Sequence, residues 1–291
     1  MKIKTPKILT LPKIIDYRGN LSIIEGSQHI PFAIKRAYWI YDVPGGETRG
    51  GHAFREQSEF IVALSGSFDV LLKKGLQKKR FTLNRSYFGL FIPNGIWRSM
   101  ENFSTNSVAL VLASTYFEET DYIRDYKEFN SLGKVSYQEH NSTKTANFVT
   151  DNTYLTSNID NCKIIPLEKN HRDKGNITVI EKHDQIPFDI SRVYYLYDVP
   201  GGEERGGHAH IELYQLIVAV SGSFDIVLND GKNTKTVTLN RPYQGLYIVP
   251  GIWRELINFS SGSCCLVLAS HKYNENYYVR DYTEFLDTKT L

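Results

Sequence analysis

Residues 41–70 read YDVPGGETRGGHAFREQSEFIVALSGSFDV, and residues 197–226 read YDVPGGEERGGHAHIELYQLIVAVSGSFDI. The two segments are identical at 21 of 30 positions and are related by a constant offset of 156 residues. The same offset aligns TLNRSYFGLFIPNGIWR with TLNRPYQGLYIVPGIWR, and NFSTNSVALVLAS with NFSSGSCCLVLAS, without a gap. Self-similarity over this length indicates a tandem duplication of a domain-sized unit rather than a solenoid.

The duplication divides the 291-residue chain into two domains and a linker. We predict a first domain over residues 1–135, a polar linker over residues 136–160 and a second domain over residues 161–291. The linker region is rich in Asn, Thr and Ser and has no sustained apolar period, which is typical of a connecting segment.

Each copy contains short apolar runs that are bounded by turn residues. Tyr-rich and β-branched segments follow one another, and Ser-Gly-Ser in VSGSFDIVL precedes a run in which residue character alternates. A helical period is suggested only near the end of each copy, in TDYIRDYKEF and NYYVRDYTEF. The pattern predicts an all-β protein in which each copy is a jelly roll of about eight strands with one short C-terminal helix.

The charge balance excludes several classes of partner. Lys and Arg total 34 against 32 Asp and Glu, which leaves a formal charge of +2. Such an even balance predicts neither a nucleic-acid-binding face nor a basic membrane-binding helix. We therefore expect a small-molecule or protein partner.

The cysteines and the N-terminal residues bear on the compartment. Cys162, Cys264 and Cys265 are odd in number, and two of them are adjacent, so neither a disulfide framework nor a spaced zinc motif is available. No continuous apolar stretch of signal-peptide length follows the first residues, and no window approaches about 18 apolar residues. These features predict a cytoplasmic protein.

The candidate site centres on residues 205–210, RGGHAH, in the second copy. Alternate residues of a strand share a face, so His208 and His210 point to the same side. A pair of solvated edge-strand histidines would have this spacing too. A buried site is favoured because a Gly-rich bend precedes the pair and an apolar strand follows it, and because Arg192 and Tyr194 share one face of the preceding strand.

A His-x-His pair in a small β barrel first suggests a metal. Here Arg98 and Arg254 stand where a third histidine ligand is expected, and a guanidinium has hydrogen-bond donors only. In the first copy Phe54 replaces the second histidine. We therefore predict no metal and no other cofactor. Histidine, tyrosine and arginine without a metal are suited to proton abstraction beside a carbonyl group.

With these motifs the chain resembles the bacterial nucleotide-sugar 3,4-ketoisomerases, a cupin family. The resemblance rests on Arg-Gly-x-His-Ala-His, the LIVALSGSFDV-type strand, LVLAS and the terminal YxRDYxxF, and it covers both copies nearly end to end. It implies two tandem cupin (jelly-roll, double-stranded β-helix) domains. It also implies isomerisation of a dTDP-linked 4-keto-6-deoxyglucose to its 3-keto isomer, for deoxy-amino sugars of lipopolysaccharide or other surface glycans.

The resemblance also implies roles for particular residues. The histidine base corresponds to His208, and to His52 in the first copy, with His210 as a second histidine; the active-site tyrosine corresponds to Tyr194 or Tyr38. Phe54 predicts that the second copy carries more of the catalysis. We predict that substrate is bound by basic side chains from both copies: Arg192, Arg205, Arg254, Lys174, Arg36, Arg49, Arg98 and Arg18.

Because members of that family are usually single-copy homodimers, we expect the two copies to pair as a pseudo-dimer within one chain. The segment near Arg18 or Lys174 is expected to cross to the other copy, and further homo-oligomers stay open. Two other functions are considered: a 3,5-epimerase acting on a similar 4-keto sugar, and a non-catalytic sugar-binding cupin module. The retained histidines favour the ketoisomerase.

Overall fold

Strands dominate the protein. The computed structural model describes residues 5–131, 153–182 and 184–289. The first copy contains β1 (Lys7–Thr10), β2 (Lys13–Asp16), β3 (Gly19–Glu25), β4 (Arg36–Tyr41), β5 (Arg49–Phe54), β6 (Glu59–Ser65), β7 (Phe68–Lys74), β8 (Gln77–Leu83), β9 (Phe88–Ile92), β10 (Trp97–Glu101), β11 (Val108–Ala113), β12 (Tyr122–Ile123) and helix α1 (Tyr126–Ser131). The second copy contains, after a short helix α2 (Thr153–Thr156), the strands β13 (Lys163–Pro166), β14 (Lys169–Arg172), β15 (Gly175–Glu181), β16 (Arg192–Tyr197), β17 (Arg205–His210), β18 (Gln215–Ser221), β19 (Phe224–Asn229), β20 (Thr234–Leu239), β21 (Gln244–Ile248), β22 (Trp253–Ile257), β23 (Cys264–Ala269), β24 (Tyr278–Val279) and helix α3 (Tyr282–Lys289).

Each copy folds as a larger and a smaller antiparallel sheet. The smaller sheets have the strand orders β12-β5-β10-β7-β8 and β20-β19-β22-β17-β24. The larger sheets take five strands from one copy, in the orders β1-β9-β6-β11-β4 and β13-β21-β18-β23-β16. The all-β class and the duplicated jelly roll predicted from the sequence are confirmed.

Each larger sheet is completed by two strands of the other copy. We call the β-hairpins β2–β3 and β14–β15 the exchanged hairpins. Strand β15 pairs with β4, with Val179 opposite Tyr38, and β3 pairs with β16, with Ile23 opposite Tyr194. Both larger sheets therefore have seven strands, five from one copy and two from its twin.

Strand β4, which lies at the exchange, is buried on both faces along its whole length. In β4, Ala37, Trp39 and Tyr41 enter a core that both copies share, while Tyr38 and Ile40 face the interior of the first barrel. The shared core takes equal numbers of buried residues from each copy. Because a fully buried large apolar side chain stabilises a fold by about 1.5–3 kcal/mol, this core binds the copies into one unit.

The C-terminal segment of each copy is part strand and part helix. The helices α1 and α3 were predicted, but the Tyr-Ile and Tyr-Val pairs just before them form β12 and β24 instead. The carboxylate of Asp125 accepts hydrogen bonds from the Lys127 and Glu128 amides in the first turn of α1, and Asp281 accepts one from the Glu284 amide in the first turn of α3. An aspartate at this place caps the helix and fixes where it begins.

The predicted linker, residues 136–160, is described only from Thr153 onward, and residues 136–152 lie outside the described part. From Thr153 the chain packs on the second domain. The hydroxyl of Tyr154 lies 2.9 Å from that of Thr288, and the Ile159 amide donates to Asp230 at 3.0 Å. Within the described ranges, no helix has the length and apolar character needed to cross a membrane.

Candidate active sites

The two copies each surround one cavity, and we call these the first site and the second site. The first site has a volume of about 610 Å³ and the second about 410 Å³. Twelve of the thirteen side chains predicted from the sequence line one or the other. The first site is lined by Arg36, Tyr38, Arg49, His52, Arg98 and Lys174, and the second by Arg18, Arg192, Tyr194, Arg205, His208 and Arg254.

The exchanged hairpins carry side chains from each copy into the cavity of the other. Arg18, which follows β2 of the first copy, lines the second site, and Lys174, which follows β14, lines the first. At the second site Asp16 accepts from the Arg18 guanidinium at 2.8 Å and lies 3.6 Å from Arg205. The Arg18 hydrogen bonds lower the pKa of Asp16 to about 2. Neither cavity is complete in a single copy.

A bulge in β17 sets the histidines. The pairing of β17 with β22 shifts between Gly206 and His208, and Gly206 has φ +93°. A Cβ at Gly206 would lie 2.9 Å from the carbonyl oxygen of Arg254, so only glycine allows the two strands to approach in this conformation. Beyond the bulge, His208 and His210 both point inward and are buried.

His208 is the histidine at the cavity surface. Its Nε2 has no hydrogen-bond partner among the described residues. Burial lowers its pKa well below the usual 6.5, and the positive charge of Arg254 lowers it further. The ring is therefore neutral at pH 7, with an imidazole nitrogen free to accept a proton from a molecule in the cavity.

His210, which the sequence predicts to be catalytic, does not line the cavity. It packs behind His208, with ring centroids 4.8 Å apart, and its Nε2 lies 3.2 Å from the Arg254 guanidinium. Burial and then the Arg254 charge lower its pKa well below the usual value, so the neutral ring accepts a hydrogen bond from Arg254. In this geometry His210 holds Arg254 in place and does not reach a bound molecule directly.

Arg254 and Tyr194 complete the polar wall of the second site. Arg254 is 3 % exposed and donates to the His208 carbonyl at 3.2 Å, but it pairs with no carboxylate among the described residues. The amide of Gln215 donates to the Tyr194 hydroxyl oxygen at 2.8 Å. Because the oxygen accepts this bond, the hydroxyl proton stays available to the cavity. Burial raises the pKa of Tyr194 and keeps that proton in place.

The first site differs at the residue equivalent to Gln215, which is Glu59. Its carboxylate accepts from Arg98 at 2.8 and 2.9 Å and from the Tyr38 hydroxyl at 2.6 Å. Burial by itself raises the pKa of Glu59, but the Arg98 charge and the hydrogen bonds from Arg98 and Tyr38 together outweigh burial, and the pKa falls to about 2. In the second site the equivalent guanidinium and phenol pair with no carboxylate among the described residues, whereas here both are bound to a buried anion.

His52 occupies the place of His208. Burial, and then the Arg98 charge, lower its pKa well below 6.5, and its Nε2 has no partner in the described part of the chain. The ring packs at 4.8 Å from Phe54, where the second site has a histidine, and at 5.1 Å from Tyr122. The first site thus keeps one histidine but lacks its neighbour.

The sequence does not predict several residues at these sites, among them Tyr278, Glu59 and Gln215. Tyr278 lines the second cavity, and its hydroxyl accepts from Arg192 at 3.1 Å. Tyr278 lies in the NYYVRDYTEF segment, for which the sequence predicts a helix, but it forms part of β24. Glu59 and Gln215 are aligned with each other in the repeat. Their difference in charge is the sequence feature that could have identified this position.

The polar groups of both cavities form no metal-ligand set. The described residues contain no group of three or more His, Cys, Asp or Glu that would hold a metal ion. Arg254 and Arg98 lie opposite the histidines instead, at the register positions His208↔Arg254 and Arg98↔His52.

Two jelly rolls, each with an inward histidine, a tyrosine and an arginine in the barrel mouth, define the molecule as a tandem cupin with two composite cavities. Comparison with known families agrees with this class. The family described as "FdtA: WxcM-like, C-terminal" matches residues 4–134 and again residues 160–290. The chain belongs to this family, which matches once in each copy.

Named relatives match one copy at a time. A TDP-4-oxo-6-deoxy-alpha-D-glucose-3,4-oxoisomerase from Aneurinibacillus thermoaerophilus is 41% identical over 134 residues, 46% of this chain and 96% of the relative. A 3,4-ketoisomerase from Helicobacter canadensis is 47% identical, covering 44% of this chain and 97% of its own, with a TM-score of 0.44. QdtA, a sugar 3,4-ketoisomerase from Thermoanaerobacterium thermosaccharolyticum crystallised with TDP, is 39% identical over 45% of this chain and 95% of its own, with a TM-score of 0.44.

Proposed function

We propose that the protein is a metal-independent sugar 3,4-ketoisomerase that converts a dTDP-linked 4-keto-6-deoxyglucose to its 3-keto isomer, chiefly in the second site. The observation that carries this proposal is the second cavity itself, where a neutral histidine, a free phenol proton and an unpaired guanidinium meet. The 41% identity to a named 3,4-oxoisomerase over 96% of that enzyme supports the choice of substrate.

The reaction is a tautomerisation through an enediol. His208 takes the proton from C3, the C3–H electron pair forms the C3–C4 double bond, and the C4 carbonyl oxygen takes up a proton. Delivery of a proton to C4 and loss of the proton from the C3 hydroxyl then give the 3-keto sugar. Atoms and electrons balance without an oxidant, so the residues present supply everything that the step needs.

Tyr194 and Arg254 act on the oxygens. The free Tyr194 hydroxyl proton is available to the carbonyl oxygen as negative charge develops there, and the Arg254 guanidinium stabilises that charge. A buried guanidinium without a carboxylate partner is costly to desolvate, and a negative charge that forms on the substrate oxygen beside it offsets that cost. His210 and Gln215 hold these two side chains at their places.

The diphosphate is bound at the cavity mouth. Arg18 from the exchanged hairpin and Arg205 from β17 line the same cavity as His208. Guanidinium groups bind phosphate oxygens with paired hydrogen bonds, which suits them to this end of the substrate. The protein is proposed to act in the cytoplasm, as suggested by three buried cysteines that are free thiols.

An NMR assay with the 4-keto-6-deoxy dTDP sugar in D₂O tests the proposal. The wild-type chain is expected to form a 3-keto product, with and without a strong chelator. His208→Asn should lower turnover by about 10²–10⁴-fold, as for the loss of a general base. His52→Asn should cost far less.

Other outcomes identify the alternatives. Deuterium at C5 with inversion there would indicate a 3,5-epimerase, and binding without turnover would indicate a sugar-binding module. If only His52→Asn abolished turnover, the assignment of the active copy would be reversed. Loss of activity to the chelator, restored by one metal, would overturn the metal-free mechanism.

A further inference from the structure

The two cavities diverge most at the end where the chemistry takes place. Glu59 and Gln215 each begin the equivalent strand, β6 or β18, and both are buried, with 1% and 0% exposure. One is an anion and the other a neutral amide. Both side chains are too buried for solvent to screen the negative charge that distinguishes Glu59 from Gln215. The charge therefore acts mainly on the groups in direct contact with it.

Glu59 removes both electrophilic groups from the first cavity. Arg98 donates two hydrogen bonds to it, and the Tyr38 hydroxyl donates its only proton to the same carboxylate. A phenol whose proton is bound to an anion has none left for a substrate oxygen. A guanidinium neutralised by a buried carboxylate does little to stabilise a second negative charge.

The opposite end of the first cavity keeps the features that bind an anion. Arg49 takes the place of Arg205, is 7% exposed, and donates to the Gly175 carbonyl at 3.3 Å, with no carboxylate partner among the described residues. Arg172 occupies the position that Asp16 holds at the second site. Burial, and then the Arg172 charge, lower the pKa of Arg49.

The acidic side chains around the first cavity do not cancel this charge. Glu119 is bound to Arg124 at 2.9 Å, and Glu181 lies 3.4 Å from Arg36. Glu168 and Asp184, which also line the cavity, are exposed to solvent. Water and salt screen such exposed charges, whereas Arg49 is buried at the wall.

We infer that the first site binds a nucleoside diphosphate or its sugar conjugate without isomerising it, and that the Glu59/Gln215 difference decides which site turns over. The inference rests on the proposed function for the meaning of turnover, but not for binding. Gln215 is a positioning residue that keeps the Tyr194 proton and Arg254 available. Glu59 and Phe54 together make the first site a binding site.

Equilibrium titration of the full chain with TDP tests the binding half. Two binding events per chain are expected. Arg49→Ala should weaken one of them at least tenfold, and Arg205→Ala, its matched control, should weaken the other. A single event in the wild-type chain, or one unaffected by Arg49→Ala, overturns the first site as a nucleotide site. This result does not depend on whether the chain is an isomerase.

Turnover of variants tests the other half. Gln215→Glu should lower kcat at least tenfold while the affinity of the second site for TDP changes less than twofold. In a chain inactivated by His208→Asn, adding Glu59→Gln and Phe54→His should raise turnover at least tenfold. Circular dichroism melting confirms that each variant is folded.

The outcomes are separable. An unchanged kcat in folded Gln215→Glu refutes the proposal that the Glu59/Gln215 difference decides turnover. This holds whatever activity the His208→Asn chain gains from Glu59→Gln and Phe54→His. If the wild-type chain itself shows no turnover, the proposed function fails while the two-site titration still stands or falls by itself.

Discussion

Single side chains decide the protonation states on which the chemistry depends. His208 is neutral because it is buried and lies beside Arg254, both of which penalise the imidazolium form. The lowered pKa keeps the base ready at pH values where a free histidine would be largely protonated. Arg254, which we propose to stabilise the negative charge on the substrate oxygen, therefore also keeps the base unprotonated.

This arrangement predicts the acid limb of the pH profile. Protonation of His208 removes the base, and its folded-state pKa lies well below 6.5, so kcat/KM should stay near its maximum as pH falls through 6.5 and decline only below it. Arg254→Gln removes the positive charge that helps to lower the His208 pKa. The acid limb should therefore move to higher pH in this variant. Measurement of kcat/KM from pH 5 to 8, with circular dichroism to exclude unfolding, checks this. A limb at or above pH 6.5 in the wild type would contradict it.

For single residues, the sequence predicts which side chains come together at the site, but not which of them reach the cavity surface. His208 and His210 alternate on one strand, so the sequence treats them alike. The structure separates them because the barrel packs Tyr278 and Arg254 around His210, leaving only His208 at the cavity. Such depth depends on contacts between distant strands, which a local pattern does not contain.

Strands and hairpins determine which copy supplies which part of a site. Alternation and turn residues were sufficient to predict strands, because period-two burial is a local property. The short β12 and β24 were missed, since two residues are too few to show a period. The resemblance, and not a local pattern, leads to the expectation that the segment near Arg18 or Lys174 crosses to the other copy. The structure shows how the hairpins cross, because β3 pairs with β16 and β15 pairs with β4.

The crossing predicts that a residue of the first copy serves the activity of the second. Arg18→Ala should raise KM for the nucleotide sugar about tenfold, the loss of one charge-assisted hydrogen bond of about 1.5 kcal/mol, with a smaller effect on kcat. Lys13→Ala is the matched control, because Lys13 is a cation of the same hairpin that lies over Tyr87 and not in the cavity. Steady-state kinetics of both variants measure the difference. An unchanged KM in Arg18→Ala would place the substrate elsewhere.

The whole molecule is a pair of domains that the fold makes inseparable. The shared core and the exchanged hairpins satisfy within one chain the pairing for which single-copy relatives were expected to need a second chain. Covalent linkage raises the effective concentration of one copy near the other to the millimolar range, which favours the intrachain pair.

Sedimentation analysis tests this at the molecular scale. We expect a single species near 33.4 kDa over a wide range of protein concentration, because neither larger sheet has an unfilled place at the exchange. A dimer or larger form that persisted on dilution would indicate that hairpins are exchanged between chains instead.

The exchange also sets an order of events during synthesis. β4 leaves the ribosome as an open strand edge, and its partner β15 begins about 130 residues later. At translation rates of about 5–20 residues per second, that edge waits on the order of ten seconds. Unpaired edges recruit other strands, so this interval is when the nascent chain most needs shielding by chaperones. The second copy, by contrast, emerges with its donor hairpin already made.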